Sequence, residues 1–196
     1  MAAVPTYPSF VETLPITKAA LEFAAARHAG QLRETDRAPF ILHPLEVAHL
    51  LRGRDYPDHV VAAGVLHDVI EDTDVRGGEL EERFGPEVAA LVVSVSEPPG
   101  AGGYRERKAR LREAVAAASP DAAAVFAADK VAKARELRLE LVRRGEPAAA
   151  LDPDKLEHYW ACLTMLERRL GRHALVAQLR FELEALDLLP PGAVRR

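Results

Sequence analysis

Hydrophobic positions along most of the chain recur at helical spacing, and we find no segment with the strict alternation that is typical of a strand. The last predicted helix shows the pattern well, because leucines recur every three or four residues at Leu175, Leu179, Leu183 and Leu186. Proline, glycine and short polar residues divide the chain into eight or nine such segments. The sequence therefore predicts an all-α fold, built as one helical bundle.

Capping residues and prolines define the predicted helix ends. We expect Thr17 to cap a helix that ends near His28, and Asp58 to cap one that reaches Thr73. Between them, Pro44 is expected to occupy the first position of another helix, which ends near Gly53. The later helices are predicted over residues 79–84, 86–96, 104–118, 120–144, 153–170 and 172–189.

Turn residues also suggest how the chain is organised. Residues 1–16 contain Pro5, Pro8 and Pro15 and are predicted to be an irregular lead-in. Residues 17–170 are predicted to form the main domain. Residues 171–196 are predicted to add a C-terminal helix that packs on this domain or on a partner.

Composition supports the helical prediction and excludes several classes of protein. The 35 alanines and 21 arginines favour helix. A net charge of −4 argues against a general nucleic-acid binder, and no apolar run is long enough for a transmembrane helix. The single cysteine, Cys162, cannot form an internal disulfide and fits a reducing compartment, so we expect a cytoplasmic location.

The segment Val60–Thr73 places four titratable side chains in an apolar context. His67 and Glu71 are four residues apart, as are Asp68 and Asp72, so the members of each pair would share a face of one helix. Burying these groups without a partner would cost free energy. A divalent cation is the simplest compensation, because it favours ionised carboxylates and neutral imidazole.

Two more residues belong to the same hypothesis. His43 lies just before a predicted helix, and Asp129 follows the apolar stretch Ala122–Ala128. Taken alone, Asp129 is better explained by an exposed ion pair with Lys133, worth only about 0.3–0.5 kcal/mol. Taken together with His43 and the His67-Asp68 pair, it is better explained as a metal ligand.

Several motifs follow one another in an order that resembles a known family. They are HAGQLR at 28–33, PFILHPLEVA at 39–48, AAGVLHDVIEDT at 62–73, FGPEVAALV at 84–92, the bases around Arg107-Lys108, and AADKVAKAR at 127–135. Over about residues 18–170 the chain resembles the HD-domain hydrolases of the RelA/SpoT type, especially the stand-alone small alarmone hydrolases of the metazoan SpoT-homologue kind. The resemblance implies a helical hydrolase that removes pyrophosphate from the 3′ position of guanosine tetra- or pentaphosphate, the alarmones of the stringent response.

The resemblance also implies a set of site residues. One divalent cation, commonly manganese, would be held by four side chains, namely His43, His67, Asp68 and Asp129. Water activated by the cation would be the nucleophile. Glu71 and Asp72 match the acid pair of the family and would position or deprotonate water, or protonate the leaving oxygen. The residues do not assign these roles between the two acids.

Substrate contacts follow from the same resemblance. Arg33 matches an arginine that stacks on the nucleobase, and Arg107 and Lys108 match a basic stretch that could hold phosphates. Tyr159 could line the pocket from a later helix. The alternatives are an ordinary solvated helix face for each basic residue and a core position for Tyr159.

The chain departs from the family pattern at two positions. Glu34 stands where a second basic residue is usual, and Lys133 stands where an asparagine is usual, in a chain that has no asparagine. Lys133 would then bind a substrate phosphate or pair with an acid, since a lysine only donates hydrogen bonds. These departures leave adenosine analogues of the alarmones, and NADPH, open as substrates.

Two other functions stay open at this point. One is an HD phosphohydrolase with a different specificity, such as 5′-nucleotides, and the other is a non-catalytic regulator that binds alarmones. In each case the expected partner is a small nucleotide, with neither nucleic acid nor a membrane involved. The final helix could also supply the face of a homodimer.

Overall fold

The computed structural model describes residues 7–188, and within this range the chain is helical and contains no strand. Nine helices have at least eight residues, and one more is a single turn. The prediction of an all-α fold is confirmed. The one extended pairing in the described range is an isolated bridge between Leu32 and Pro39. None of the described helices is both long and apolar enough to span a bilayer.

The α-helices are as follows in chain order: α1 Pro15–Arg27, α2 Leu42–Arg52, α3 Asp58–Leu66, α4 Val69–Asp72, α5 Gly77–Phe84, α6 Pro86–Val95, α7 Tyr104–Ala117, α8 Pro120–Arg144, α9 Pro153–Leu170 and α10 Ala174–Asp187. Two short 3₁₀ helices, Val11–Thr13 and Ala148–Ala150, precede α1 and α9.

Helix α3 lies at the centre of the fold. Its residues 60–66 are all buried, because the helix is apolar on every side and contacts α1, α2, α6 and α8. The C-terminal end of α3 leads directly into the His67-Asp68 turn. The central helix therefore carries this pair into the interior of the domain.

Helix α8 is the longest element, with 25 residues, and begins as its sequence predicts. Ser119 accepts a hydrogen bond from the Ala122 backbone N–H at 3.2 Å, and Pro120 occupies the first helical position. The side chains of Ala122–Ala128, five of them alanines, are buried against the neighbouring helices. Asp129 follows them and is carried into the core as well, with only 6% of its surface exposed.

Helix α10 closes the domain. The four leucines of its apolar stripe are all buried against α8 and α9, so this stripe is core and does not provide a dimer face. Glu182, also buried, accepts hydrogen bonds from Arg135 and Arg138 of α8. The predicted end of this helix at residue 189, and residues 1–6 of the lead-in predicted over residues 1–16, lie outside the described residues.

Both predicted N-caps, Thr17 and Asp58, are wrong, and one tertiary contact explains why. Helix α1 begins at Pro15, so Thr17 lies within its first turn. The Asp58 carboxylate accepts the backbone N–H groups of Ile16 and Thr17, each at 2.9 Å, and the Thr17 hydroxyl at 2.7 Å. The Asp58 carboxylate therefore accepts hydrogen bonds from the first-turn N–H groups of α1, which have no partner within that helix, and not from the N–H groups of its own helix.

The predicted start of the second helix is also wrong. Helix α2 begins at Leu42, two residues before Pro44, so His43 lies within its first turn. Pro44 is tolerated there because the N–H groups of a first turn have no partner within the helix. The predicted end near Gly53 is confirmed, since Gly53 is the C-cap residue.

We predict that Asp58→Ala lowers the free energy of unfolding by about 2 kcal/mol, because three hydrogen bonds to a charged acceptor are lost. In a chain of this size that corresponds to a fall in Tm of about 4–8 °C in calorimetry. Asp74→Ala is the matched control, since Asp74 is exposed and meets only Arg27 at 3.4 Å. Equal effects of the two substitutions would contradict the tertiary cap.

Candidate metal centre and active site

The sequence pattern predicts that the His67-Asp68 pair lies within one continuous helix. In the structure the pair lies instead at a break between two helices. Helix α3 ends at Leu66 and α4 begins at Val69. The two intervening residues form a turn in which Asp68 has φ −94° and ψ −8°. The prediction of one helix from Asp58 to Thr73 is therefore wrong. The break turns both side chains of the pair toward α2 and α8.

Four side chains from three parts of the chain meet at this turn. The Nε2 atom of His43 lies 3.2 Å from Nε2 of His67, 3.3 Å from Oδ1 of Asp129 and 3.5 Å from Oδ2 of Asp68. The Nε2 atom of His67 lies 3.2 Å from Oδ1 of Asp68 and 3.6 Å from Oδ1 of Asp129. His43, His67 and Asp129 are therefore brought together around one point, and Asp68 lies beside the two imidazoles. His43, His67 and Asp129 are buried, and the Asp68 side chain is 17% exposed.

Local packing explains how His67 is oriented. Its Nδ1 atom lies 2.8 Å from the Gly64 carbonyl oxygen, to which the ring N–H donates. This bond leaves the Nε2 lone pair facing the other three side chains. A Cβ atom on Gly64 would lie 2.5 Å from Cδ1 of Leu51 and 3.3 Å from Cγ1 of Val47. Glycine at this position therefore lets α3 approach α2 closely enough for the two imidazoles to meet.

The electrostatics of the cluster fit a cation. Although burial opposes ionisation, the Lys130 ammonium and the two imidazoles hold the pKa of Asp129 well below its usual range. Burial lowers the pKa of His43. Burial acts in the same direction on His67, but the carboxylates of Asp68 and Asp129 outweigh it and raise its pKa to about 10. A proton on His67 thus balances the two acids when no cation is bound. A cation would displace that proton, so acidification would weaken binding.

Two imidazoles and two carboxylates suit a first-row divalent cation, and the donor set alone does not distinguish manganese from iron or zinc. The alternative explanation of Asp129 as an exposed partner of Lys133 is wrong, since Asp129 is buried. Its Oδ2 atom accepts a hydrogen bond from Lys130 at 2.7 Å, which leaves Oδ1 on the imidazole side.

The predicted acid pair lies on α4, directly after the turn. Oε1 of Glu71 accepts the backbone N–H of Glu97 at 2.7 Å. Loss of solvent and the charge of Asp68 raise the pKa of Glu71, against the opposing effect of that hydrogen bond. Loss of solvent and the charge of Asp68 raise the pKa of Asp72 as well. Both acids are thus shifted toward the range that proton transfer near neutral pH requires.

The HAGQ segment holds α4 in position. The Gln31 side-chain amide donates to the Asp72 backbone carbonyl at 3.0 Å, and Oε1 of Gln31 lies 2.7 Å from Nδ1 of His28. His28 is buried and packs on Phe40, with ring centroids 4.7 Å apart. His28 is therefore hydrogen-bonded within the fold and acts on the site through Gln31.

Two connected cavities open beside the cluster. The inner cavity, of about 290 Å³, is lined by His67, Asp68, Glu71, Asp72, Asp129, Tyr159 and four lysines, together with Tyr104, His158 and four apolar residues. The outer cavity, of about 350 Å³, is lined by residues 32–35, Phe40, Glu136 and Leu137. The two share Asp72, Lys133, Lys155 and Tyr159. One elongated ligand could therefore occupy both.

The structure brings most of the predicted substrate contacts to these cavities. Lys108 lines the inner cavity, Arg33 the outer one, and Lys133 and Tyr159 both. Only 5% of the Tyr159 surface is exposed, so this residue is part of the core as well as of the pocket wall. Arg107 is not brought into either lining. Its guanidinium instead donates to Glu97 and to the Gly102 carbonyl, each at 3.1 Å.

Sequence reasoning missed several polar residues of the lining, among them Lys130, Lys155 and Glu136. Lys130 could have been found, because it directly follows Asp129. Lys155 and Glu136 carry no local signal, since only the packing of α8 and α9 brings them to the cavities.

Comparisons with known proteins agree with this geometry. A family described as "HD domain" matches residues 20–151. A mouse guanosine-3′,5′-bis(diphosphate) 3′-pyrophosphohydrolase is 36% identical over 121 residues, which cover 60% of this chain and 67% of the relative. An enzyme of the same name from Aquifex aeolicus is 41% identical over 91 residues, 46% of this chain and 12% of the relative. The chain spans only about a tenth of the length of the first curated relatives it matches.

Solved structures show the same similarity. A metazoan ortholog of SpoT, described as hydrolysing ppGpp and as playing a role in starvation responses, superimposes with a TM-score of 0.74 at 27% identity. That match covers 94% of this chain and all of the other. The protein lmo0812 from Listeria monocytogenes superimposes with a TM-score of 0.66 at 25% identity, over 74% of this chain and 99% of the other.

The cluster predicts that a divalent cation stabilises the fold. Mn²⁺ at a hundred times its Kd should add about 2.7 kcal/mol to the free energy of unfolding and raise Tm by about 5–10 °C above that of chelator-treated protein. Asp129→Asn should remove most of this rise, because it neutralises a ligand without changing its shape. Asp187→Asn, an exposed change on α10, is the control. An undiminished rise in Asp129→Asn would contradict the proposed site.

Proposed function

The chain belongs to the HD-domain family, and we propose that it is a metal-dependent phosphohydrolase that removes pyrophosphate from the 3′ position of guanosine tetra- or pentaphosphate. The observation that carries this proposal is a single cavity lined by three members of the metal-ligand cluster, His67, Asp68 and Asp129, and by the acid pair. The names of the mouse and Aquifex aeolicus relatives support the same reaction. We propose manganese as the cation, a cytoplasmic location and a role in the stringent response as parts of this function.

In the proposed reaction, water adds to the phosphorus atom next to the ribose 3′ oxygen, and the bond between that phosphorus and the 3′ oxygen breaks. Guanosine tetraphosphate then gives GDP and pyrophosphate. His43, His67, Asp68 and Asp129 would hold the cation. When bound, it would lower the pKa of water and offset charge on a phosphoryl oxygen.

The remaining proton transfers fall to Glu71 and Asp72. One carboxylate would take a proton from the attacking water, and a carboxylic acid would give one to the 3′ oxygen as it leaves. The Glu97 N–H and the Gln31 amide fix these acids at the rim of the cavity. Because both acids lie close to Asp68, the three carboxyl groups would titrate as a coupled set. The apparent pKa values of the pH profile would then describe the three groups together and not a single residue.

We predict that Glu71→Gln and Asp72→Asn each lower kcat at least about 100-fold while the Mn²⁺-dependent rise in Tm persists. Because both pKa values are raised, the acid limb of the kcat/KM profile should lie above the range of a free carboxylic acid, with activity lost as pH falls through it. Steady-state assays of pyrophosphate release measure both the kcat of the variants and the pH profile of kcat/KM. Activity within tenfold of wild type in both variants would contradict a role in proton transfer.

The outer cavity has the features expected for the nucleoside. Leu32, Phe40 and Leu137 provide apolar walls, and the Arg33 guanidinium is held in place by Asp36, with Nε 3.0 Å from Oδ1. A planar guanidinium fixed in this way suits stacking on a base. The phosphates would then extend past Lys133 and Lys155 toward the cation.

Acidic side chains in this cavity favour guanine over adenine. Glu34 and Glu136 both line it, and the Thr35 hydroxyl donates to Oε1 of Glu136. An ionised carboxylate only accepts hydrogen bonds. Guanine offers two adjacent donors, N1–H and the 2-amino group, whereas adenine has an unprotonated N1 on the same edge. Of the substrates that the sequence leaves open, the guanosine nucleotides are therefore favoured.

Glu136→Gln tests this preference, because an amide both donates and accepts. The ratio of kcat/KM for guanosine tetraphosphate to that for its adenosine counterpart should fall about 10–100-fold, the effect of one hydrogen bond to a charged group. Glu184→Gln on α10 is the control. A ratio unchanged by Glu136→Gln would remove Glu136 from base recognition.

Two alternatives are tested by the same assays. A hydrolase of 5′-nucleotides would release phosphate from the other end of the nucleotide, which product analysis distinguishes from 3′ release. A non-catalytic regulator would bind the nucleotide without turnover, and binding would survive Asp68→Ala. Failure to convert the guanosine alarmone, its adenosine counterpart or NADPH, while Mn²⁺ is bound, would disprove the proposed function.

A further inference from the structure

Arg107 is a predicted substrate contact that the structure does not bring into the lining of either cavity. It lies near the start of α7 and contacts the loop that joins α6 to α7, residues 96–103. Its Nε donates to the Glu97 carboxylate and its Nη1 to the Gly102 carbonyl oxygen, each at 3.1 Å. One side chain therefore ties both ends of this loop to α7.

The loop depends on such polar contacts for its position. Residues 99–103 are all exposed, so burial of apolar surface contributes little to holding them. Gly102 has φ 140°, a value that glycine adopts readily and that lets the loop turn back onto α7. The Gly103 N–H donates to the Glu106 carboxylate at 3.1 Å. Arg107 adds two more contacts between the loop and the start of α7.

The loop reaches the acid pair through Glu97. The backbone N–H of Glu97 donates to Oε1 of Glu71 at 2.7 Å, and the Glu97 side chain is 20% exposed. The carboxylate of Glu97 also lies 3.6 Å from Nζ of Lys108. Because the N–H and the carboxylate belong to one residue, a guanidinium that holds the carboxylate also keeps the N–H on Glu71.

Glu71 needs support of this kind from outside its own helix. Helix α4 has only four residues, and a single turn has few hydrogen bonds of its own to hold it. Proton transfer requires a carboxylate oxygen within about 2.6–3.2 Å of its partner. A displacement of about 1 Å at a reacting group can cost about 100-fold in rate. The orientation of this carboxylate is therefore set by the contact with Glu97.

We propose that Arg107 and Glu97 are positioning residues for Glu71. Arg107 holds Glu97, and the Glu97 N–H fixes one oxygen of the Glu71 carboxylate, which leaves the second oxygen for proton transfer in the inner cavity. The inference rests on the proposed function. It gives Arg107 a different role from the phosphate contact that the family resemblance implies, since a positioning residue acts on kcat and a phosphate contact acts on KM.

A double-mutant cycle tests the proposal with guanosine tetraphosphate as substrate. Arg107→Met should lower kcat about tenfold and change KM less than about twofold. In the Glu71→Gln background the same substitution should cost less than about twofold, because the carboxylate that it positions is absent. In the Asp72→Asn background the loss of about tenfold should persist. The control is Arg105→Met, because the exposed Arg105 of the same helix meets only Asp154 and Glu157, and it should behave as wild type.

Hydrogen exchange of the Glu97 amide, followed by NMR of the ¹⁵N-labelled protein, tests the contact without turnover. Arg107→Met should speed this exchange at least about fivefold, the effect of one lost hydrogen bond to a charged group. Arg105→Met should leave it unchanged. Glu97→Gln keeps the backbone N–H and the shape of the side chain, so it should act in the same direction as Arg107→Met in both measurements and replaces that variant if the latter does not fold.

A rise in KM without a fall in kcat in Arg107→Met would assign Arg107 to phosphate binding and overturn the proposal. An equal loss of kcat in the wild-type and Glu71→Gln backgrounds, or unchanged exchange at Glu97, would overturn it as well. Faster exchange in a protein that hydrolyses no 3′-diphosphate would support the positioning of Glu71 and contradict the proposed function. Hydrolysis without coupling between Arg107 and Glu71 would support the function and contradict the positioning role.

Discussion

Two imidazoles that lie 3.2 Å from each other and 3.2–3.6 Å from two carboxylates, in the interior of a helical domain, are the constraint on which the rest of the structure depends. Such a cluster is costly to bury unless a positive charge is shared among its members. The carboxylates of Asp68 and Asp129 raise the pKa of His67, so a proton on this imidazole would supply that charge when no cation is bound. A divalent cation would supply this positive charge to all members of the cluster and would leave both imidazoles free to act as ligands.

The elements around the cluster hold its four side chains in position. Gly64 lets α3 approach α2, the break after Leu66 directs His67 and Asp68 toward α8, and the buried alanines of α8 carry Asp129 inward. Charges of both signs line the two cavities. Four lysines and four carboxylates line the inner cavity, and the outer one shares Lys133 and Lys155 with it and adds the carboxylates of Glu34 and Glu136.

Residue type and spacing were enough to predict the all-α fold, because helical periodicity and proline or glycine ends are local properties. The four side chains of the cluster were predicted to be metal ligands, because His67, Asp68 and Asp129 stand in apolar segments and because the resemblance to the HD-domain hydrolases implies all four. The break at His67-Asp68 was not predicted, because its backbone angles stay close to helical and its sequence is that of a continuous helix. Asp58 caps α1 across 41 residues, and Lys155 and Glu136 reach the cavities through the packing of α8 and α9. Such contacts depend on tertiary structure and leave no local pattern.

Crystals grown with Mn²⁺ and measured at the manganese absorption edge would test the central claim most directly. The account predicts one anomalous peak per chain, within bonding distance of Nε2 of His43, Nε2 of His67 and a carboxylate oxygen of both Asp68 and Asp129. A peak bound only by the exposed acids of α4, or no peak at this cluster at saturating Mn²⁺, would contradict it.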